Sequence, residues 1–153
     1  MAGPFVNSSQ IDRQNGIVQA LREAGVEPEE HLRLIGWDDI PGNATPEEVA
    51  PLLEPFDYTA IVAFNDVLAY HAFNALNARG LRVPEDISLV GFDHIRWRNT
   101  YLPPLTSIAV AEKGVASAAI EMLFERMKNP DLPFRHRIIP VRIHMDGTTQ
   151  AVK

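Results

Sequence analysis

Four side chains in this sequence have the chemistry to hold a small polar molecule: Arg13, Trp37, Asn65 and Asp93. Arginine donates several N–H groups, an aspartate can accept from two hydroxyls, and an asparagine amide can donate and accept at once. The flat face of a tryptophan suits stacking on a sugar ring or a base. These residue types point to binding rather than to chemical conversion.

Each of the four also has a purely structural interpretation. Arg13 could be a solvated arginine near the start of a helix, and Trp37 could fill the core. Asn65 could cap the helix that follows it, and Asp93 could be a turn residue. The residue types alone leave both interpretations open.

The sequence lacks the usual patterns of catalytic and metal sites. Its five histidines lie at no metal-ligand spacing, and no G-x-S-x-G, P-loop or G-x-G-x-x-G motif occurs. Asp38 and Asp39 could converge with Asp93 on a cation, but acids in loops after strands are more often sugar ligands, caps or solvated. No nucleophile is paired with a base. We therefore predict no enzyme activity, no metal site and no cofactor.

Two apolar runs must position Asn65 and Asp93. Residues 60–64 and 87–91 have the length and β-branched content of strands buried on both faces, and a helical pattern lies between them. Such a β-α-β unit has parallel strands, and ligands collect beyond the carboxyl ends of parallel strands. Because Asn65 and Asp93 follow the two runs, we predict that they share one crevice with Arg13.

Strand and helix patterns alternate along the rest of the chain. Thr45-Pro46 followed by two glutamates is a strong helix start, with a cap, a proline at the first helical position and acids near the positive end. The remaining predicted elements are short strands at 32–36 and 105–110, an amphipathic helix at 111–127, and one or two edge strands within 135–145. This alternation predicts an α/β domain built on a parallel sheet.

Composition limits the possible functions. The 153 residues are 46% hydrophobic and 22% charged, with a formal charge of −6, whereas a nucleic-acid module normally carries a basic surface. This chain alone is therefore a poor candidate for holding DNA. It has no cysteine, no signal-like start and no apolar run approaching the roughly 18 residues of a membrane span. We expect a cytoplasmic location and no membrane partner.

Two sequence blocks with the right spacing resemble a known family. They are GLRVPEDISLVGFD at 80–93 and YLPPLTSI at 101–108. With Phe64-Asn65-Asp66, Ala2-Gly3-Pro4 and RQNG at 13–16, they resemble the effector-binding core of LacI/GalR-type transcriptional regulators. The resemblance covers essentially the whole chain, but only the second half of a full-length member. The helix-turn-helix headpiece, the hinge helix and most of the first core subdomain have no counterpart, so we expect a piece of a longer regulator.

The resemblance implies a fold and a site. Members have two α/β subdomains of the periplasmic-binding-protein type that close like jaws on a small molecule, often a sugar or a purine. Arg13, Trp37, Asn65 and Asp93 match typical ligand contacts, and Trp37 beside Asp38 and Asp93 favours a sugar. Residues 1–110 and 131–147 are expected to form the C-terminal effector-binding and dimerisation subdomain. Residues 111–130 are expected to be a crossover helix of the N-terminal subdomain.

The resemblance also implies partners. We expect a homodimer that uses aromatic and arginine side chains, the types that dominate interface cores: Tyr70, Trp97, Arg98 and Tyr101. The alternative is that their loop folds back on its own domain. The favoured function is the effector-sensing and dimerising part of a repressor that contacts operator DNA only through the headpiece. The alternatives are a periplasmic-type sugar-binding protein for transport and an enzyme on the same fold.

Overall fold

The structure is a computed structural model that describes residues 8–35, 43–95, 103–110 and 114–151. Three helices come first, and four strands and two further helices follow. In chain order the elements are α1 (Ser8–Glu23), α2 (Pro28–His31), α3 (Pro46–Leu53), β1 (Ala60–Val62), α4 (Asp66–Ala78), β2 (Ser88–Phe92), β3 (Thr106–Val110), α5 (Val115–Lys128) and β4 (Val141–His144).

The four strands form one sheet in the order β1-β2-β3-β4. The pairs β1-β2 and β2-β3 are parallel, and β4 runs antiparallel to β3 at the edge. Helix α4 connects β1 to β2, which confirms the predicted β-α-β unit, and β4 confirms an edge strand within 135–145. The chain is therefore an α/β fold with a mixed, mostly parallel sheet.

The core lies where α3 and α4 pack on one side of the sheet. The apolar stripe predicted for α4 is buried, because its alanines, Phe73 and Leu76 point towards β2 and α3. Leu89 of β2 and Val49 of α3 are fully buried beside them. Helix α4 ends where the sequence predicted, with Gly80 in the left-handed region at φ 75°. This packing anchors both strands whose ends carry the candidate site.

The start of α3 also confirms its sequence signature. The hydroxyl of Thr45 accepts a hydrogen bond from the backbone N–H of Glu48 at 3.4 Å, and the Glu48 carboxylate accepts one from the Thr45 N–H at 2.8 Å. This reciprocal capping box satisfies two backbone donors that the helix itself cannot pair, and Pro46 occupies the first turn.

Two strand predictions were wrong. Strand β1 spans three residues and is not buried on both faces, since Val62 is 44% exposed. Ala60 and Val62 share one face of this strand, which lies at the edge of the described sheet, and both are exposed. Residues 32–35 form no strand, and the Leu32 N–H donates back to Pro28 O at 2.8 Å, which closes α2.

The amphipathic helix predicted at 111–127 is present as α5, but its apolar side is largely uncovered. Ala118 is its buried residue, whereas Leu123 is 57% exposed, as are Phe124 and Met127 to similar extents. The assignment of this helix to a second subdomain stays a prediction. Among the described helices, none combines the length and apolar character needed to cross a bilayer.

Candidate ligand-binding site

The side chain of Arg13 joins the carboxyl ends of two neighbouring strands. From the second turn of α1, its Nη1 donates a hydrogen bond to the carbonyl of Phe64, just after β1. Its Nη2 lies 3.6 Å from Oδ1 of Asp93, just after β2. The guanidinium also lies over two rings, 4.5 Å from the centroid of Phe64 and 4.3 Å from that of Phe92. Hydrogen bonding, charge and cation-π contacts thus hold one cation at this edge of the sheet.

The Arg13–Asp93 pair remains accessible to a ligand. The side chain of Arg13 is 27% exposed and that of Asp93 is 48% exposed. A pair with this exposure contributes at most about 1 kcal/mol to stability. Its 3.6 Å separation also exceeds an ordinary hydrogen-bond distance. A ligand hydroxyl could therefore accept from the guanidinium and donate to the carboxylate.

Asn65 caps helix α4, as its structural interpretation proposed. Its Oδ1 accepts a hydrogen bond from the backbone N–H of Leu68 at 2.9 Å. The cap fixes which end of the amide faces the helix, because only the oxygen can accept. Asn65 immediately follows Phe64, whose carbonyl accepts from Arg13, so it belongs to the same strand end.

Asp93 is a turn residue, as its structural interpretation proposed. Its φ is 92° and that of His94 is 48°, so two consecutive non-glycine residues occupy the left-handed region. The Asp93 N–H donates to Ile108 O at 2.9 Å, which ties the start of the turn to β3. The His94 ring stacks on that of His144, with the ring centroids 3.9 Å apart. Backbone in this unusual conformation persists only where its surroundings hold it.

Asp66 is hydrogen-bonded to this turn, a role that the sequence, which places Asp66 at a strand end, did not predict. Its side chain is buried, with 1% of the residue exposed. One carboxylate oxygen accepts from the Ser107 hydroxyl at 2.7 Å, and the other accepts from the Ile95 N–H at 2.6 Å. Burial raises the pKa of Asp66, and the Ser107 and Ile95 hydrogen bonds oppose that rise. The available signal was an acid directly after a strand and a glycine, Gly91, in the next strand.

Gly91 provides the space that Asp66 needs. A Cβ at this position would lie 2.2 Å from Oδ1 of Asp66 and 2.8 Å from Cδ2 of Leu105. Both separations are far below van der Waals contact. The strand therefore approaches the start of α4 more closely than any residue with a side chain would allow.

The structure tests the other predicted site residues to different extents. Tyr70 is half-buried and packs against the core, and burial raises the pKa of its hydroxyl, with smaller contributions from Asp66 and Asp146. Its role in dimerisation stays a prediction. Within the described ranges, no group of three or more histidine or acidic side chains could hold a metal ion. The remaining predicted residues lie outside the described ranges: Trp37, Asp38, Asp39, Trp97, Arg98 and Tyr101.

Comparison with known proteins supports the resemblance found in the sequence. A family model described as periplasmic binding protein-like domain matches residues 2–149. The HTH-type transcriptional repressor PurR of Pasteurella multocida (strain Pm70) is 33% identical over 143 residues, which is 83% of this chain and 38% of the repressor. The repressor CytR of Escherichia coli (strain K12) is 31% identical over 153 residues, 99% of this chain and 44% of that protein. The chain thus spans less than half the length of these relatives, which are transcriptional regulators and not enzymes.

Solved structures of LacI-family regulators share the fold. One from Enterococcus faecium with bound ribose has a TM-score of 0.75 at 24% identity, covering 92% of this chain and 52% of that one. The regulator CelR in complex with cellobiose has a TM-score of 0.75 at 25% identity, covering 97% and 45%. A regulator from Arthrobacter sp. FB24 in complex with lactose has a TM-score of 0.73 at 27% identity, covering 89% and 50%. Homologues of this fold therefore bind sugars.

Proposed function

Because this chain belongs to the family of periplasmic binding protein-like domains, we propose that it is the effector-binding and dimerising part of a LacI-type transcriptional regulator and that its effector is a sugar. The observation that carries the proposal is the bridge made by Arg13. One guanidinium contacts the carbonyl of Phe64 and lies 3.6 Å from the carboxylate of Asp93, at the strand edge where ligands of α/β sheets bind.

The chemistry of this edge matches a polyhydroxylated ligand. Arg13 supplies donors, and Asp93 supplies acceptors on a half-exposed carboxylate. The oxygen of the Asn65 amide is engaged by the helix cap, so its nitrogen is the end with which it would meet a ligand. A hydroxyl accepts from Arg13 or Asn65 and donates to Asp93, and neighbouring hydroxyls on a sugar do both. The sugars bound by related regulators support this class.

The wider assignments follow from the same family. In the proposed regulator the chain acts in the cytoplasm and contacts operator DNA only through a helix-turn-helix headpiece. Its homodimer uses Tyr70 together with Trp97, Arg98 and Tyr101. Residues 111–130 serve as a crossover helix of the other subdomain, which agrees with the exposed apolar side of α5. A transport protein of the periplasmic type is the alternative, and the repressor names of the relatives favour the regulator.

Isothermal titration calorimetry of this chain with ribose, lactose, cellobiose and adenine tests the proposal. We expect one of the sugars to bind and adenine not to bind. Arg13→Gln and Asp93→Asn should each weaken binding by about 10- to 100-fold, because a hydrogen bond to a charged group contributes about 1.5–3 kcal/mol.

Arg22→Gln is the matched control. Arg22 lies on the same helix, but it is exposed and pairs with Glu29 at 3.0 Å, away from the strand ends. Its replacement should leave the affinity unchanged. Binding of adenine alone would overturn the sugar assignment while leaving the ligand site in place. A folded chain that binds none of the four compounds, or an Arg13→Gln variant that binds as tightly as the parent chain, would contradict the proposed site.

A further inference from the structure

The turn that carries Asp93 has an unfavourable backbone conformation, which contacts with the rest of the fold must stabilise. Asp93 and His94 have φ values of 92° and 48°, a region that side chains with a Cβ rarely occupy. Their orientation decides where the Asp93 carboxylate lies relative to Arg13. The position of this proposed ligand contact therefore depends on whatever fixes the two residues after Asp93.

The backbone N–H groups of His94 and Ile95 are both hydrogen-bonded to the Asp66 carboxylate, one through Ser107 and one directly. The Ile95 N–H donates to Oδ2 of Asp66 at 2.6 Å. The His94 N–H donates to the hydroxyl of Ser107 at 3.0 Å, and that hydroxyl donates to Oδ1 of Asp66 at 2.7 Å. Asp66 and Ser107 are both buried, so water competes little for these bonds. The turn is thus clamped to the start of α4, directly and through Ser107 of β3.

The fold maintains this carboxylate at a specific place. Asp66 is the first residue of α4, directly after the Asn65 cap, where the helix dipole favours a negative charge. The backbone of Gly91 leaves the space for its Oδ1. A buried carboxylate is costly unless hydrogen bonds satisfy it, and Ser107 and Ile95 supply those bonds. The pKa of Asp66 is nevertheless raised, because these hydrogen bonds only partly offset the cost of burying its charge.

We propose that Asp66 is a positioning residue for the ligand crevice: acting with Ser107, its carboxylate fixes the turn after β2 and so sets where Asp93 meets Arg13 and a ligand. The proposal deepens the proposed function and rests on Asp93 being a ligand contact. Asp66 itself need not touch the ligand. Asp66 differs from an ordinary core residue in what its loss should change. Its loss should release the His94 and Ile95 amides and displace Asp93, without destabilising the whole fold.

Residue-resolved amide hydrogen exchange tests the clamp without any ligand. In Asp66→Ala both the His94 and Ile95 amides should exchange at least about 10-fold faster relative to the amides of β2. Ser107→Ala is the sharper variant and carries the test if Asp66→Ala fails to fold. It should release the His94 amide while Ile95, still bonded to Asp66, keeps its protection. Unchanged relative protection of His94 in Ser107→Ala would overturn the proposal.

Thr148→Val is the matched control for general destabilisation. The Thr148 hydroxyl is buried, donates to Leu89 O at 2.7 Å and accepts from the Thr106 N–H at 2.9 Å, so it also links β2 to β3. Among the described residues, it bonds none in the turn after β2. Its loss should speed exchange broadly, without an excess at His94 or Ile95. A similar local excess in Thr148→Val would show that the turn merely follows global stability, and would overturn the proposal.

A second arm links the clamp to binding. With whichever of ribose, lactose or cellobiose the parent chain binds, Ser107→Ala should weaken affinity by about 10-fold and Thr148→Val by no more than about twofold. Equal affinity in Ser107→Ala, despite a released His94 amide, would overturn the role in positioning. If none of the sugars binds the parent chain, the sugar assignment fails on its own, and the exchange arm still decides whether Asp66 holds the turn.

Discussion

The close approach of β2 to the start of α4 predicts that Gly91 cannot carry a side chain. A methyl group at this position would meet Oδ1 of Asp66 at 2.2 Å and Cδ2 of Leu105 at 2.8 Å. The Leu105 side chain could rotate away, but Asp66 is held by two hydrogen bonds, and its Cα would lie only 3.3 Å from the new carbon. Gly91→Ala must therefore move either the carboxylate or the first turn of α4.

The expected loss of stability can be assembled from two contributions. Overpacking a core position costs about 1–3 kcal/mol, and each buried polar group that loses its partner costs about 1–3 kcal/mol. The two overlap, since displacing Asp66 relieves the clash, so we expect a total of about 2–4 kcal/mol. With a urea m-value of about 2 kcal/mol/M, equilibrium unfolding should show a midpoint lowered by about 1–2 M.

Gly16→Ala is the matched control for this substitution. Gly16 lies inside α1, and a Cβ there would have no neighbour within 4 Å. Alanine is a better helix former than glycine, so this variant should be neutral or stabilising by up to about 1 kcal/mol. If Gly91→Ala unfolds within about 0.5 kcal/mol of the parent chain, a figure typical of uncrowded surface substitutions, the close approach of strand and helix is not real.

Three further predictions concern capping, pH and assembly. Thr45→Ala should lower the free energy of unfolding by about 1 kcal/mol, because it removes the capping box of α3, and an unchanged urea midpoint would contradict this. Burial raises the folded-state pKa of Asp66 and Asp93 adds to the rise, while Ser107, Ile95 and His94 oppose it. Because the folded-state pKa is raised, Asp66 contributes most to stability below the ordinary aspartate pKa of about 3.9. That contribution is lost as the pH rises through the raised pKa. As the pH falls from 7 to 4, the free energy of unfolding of the parent chain, measured by urea titration, should therefore increase relative to that of Asp66→Asn. A difference that stays constant over this range would contradict a buried carboxylate with a raised pKa. Sedimentation velocity should show a dimer that Arg98→Glu shifts towards monomer, and a monomer at all concentrations of the parent chain would count against pairing.

Local sequence patterns predicted most of the elements because their causes are local. The cap and proline at Thr45-Pro46, the apolar stripe of α4 and the glycine after it each act within a few residues. Burial of β1 failed as a prediction because it depends on what covers the sheet, and Val62 lies on an edge strand with an open face. Residues 32–35 of the predicted strand at 32–36 form no strand, and the Leu32 N–H bonds back to α2, a local bond that apolar content does not reveal.

At the candidate site, the structural and functional interpretations of Asn65 and Asp93 do not exclude each other. Asn65 caps α4 and Asp93 forms a turn, and the same contacts fix where both side chains lie at the proposed ligand site. The cap occupies the amide oxygen and leaves its nitrogen as the end that would meet a ligand, and the turn places the carboxylate 3.6 Å from Arg13. A residue type that caps a helix or forms a turn at a strand end can therefore also contact a ligand there. The sequence could not reveal the contact between Asp66 and Gly91. This contact joins the start of a helix to a neighbouring strand, and it depends on a separation that only the assembled sheet defines.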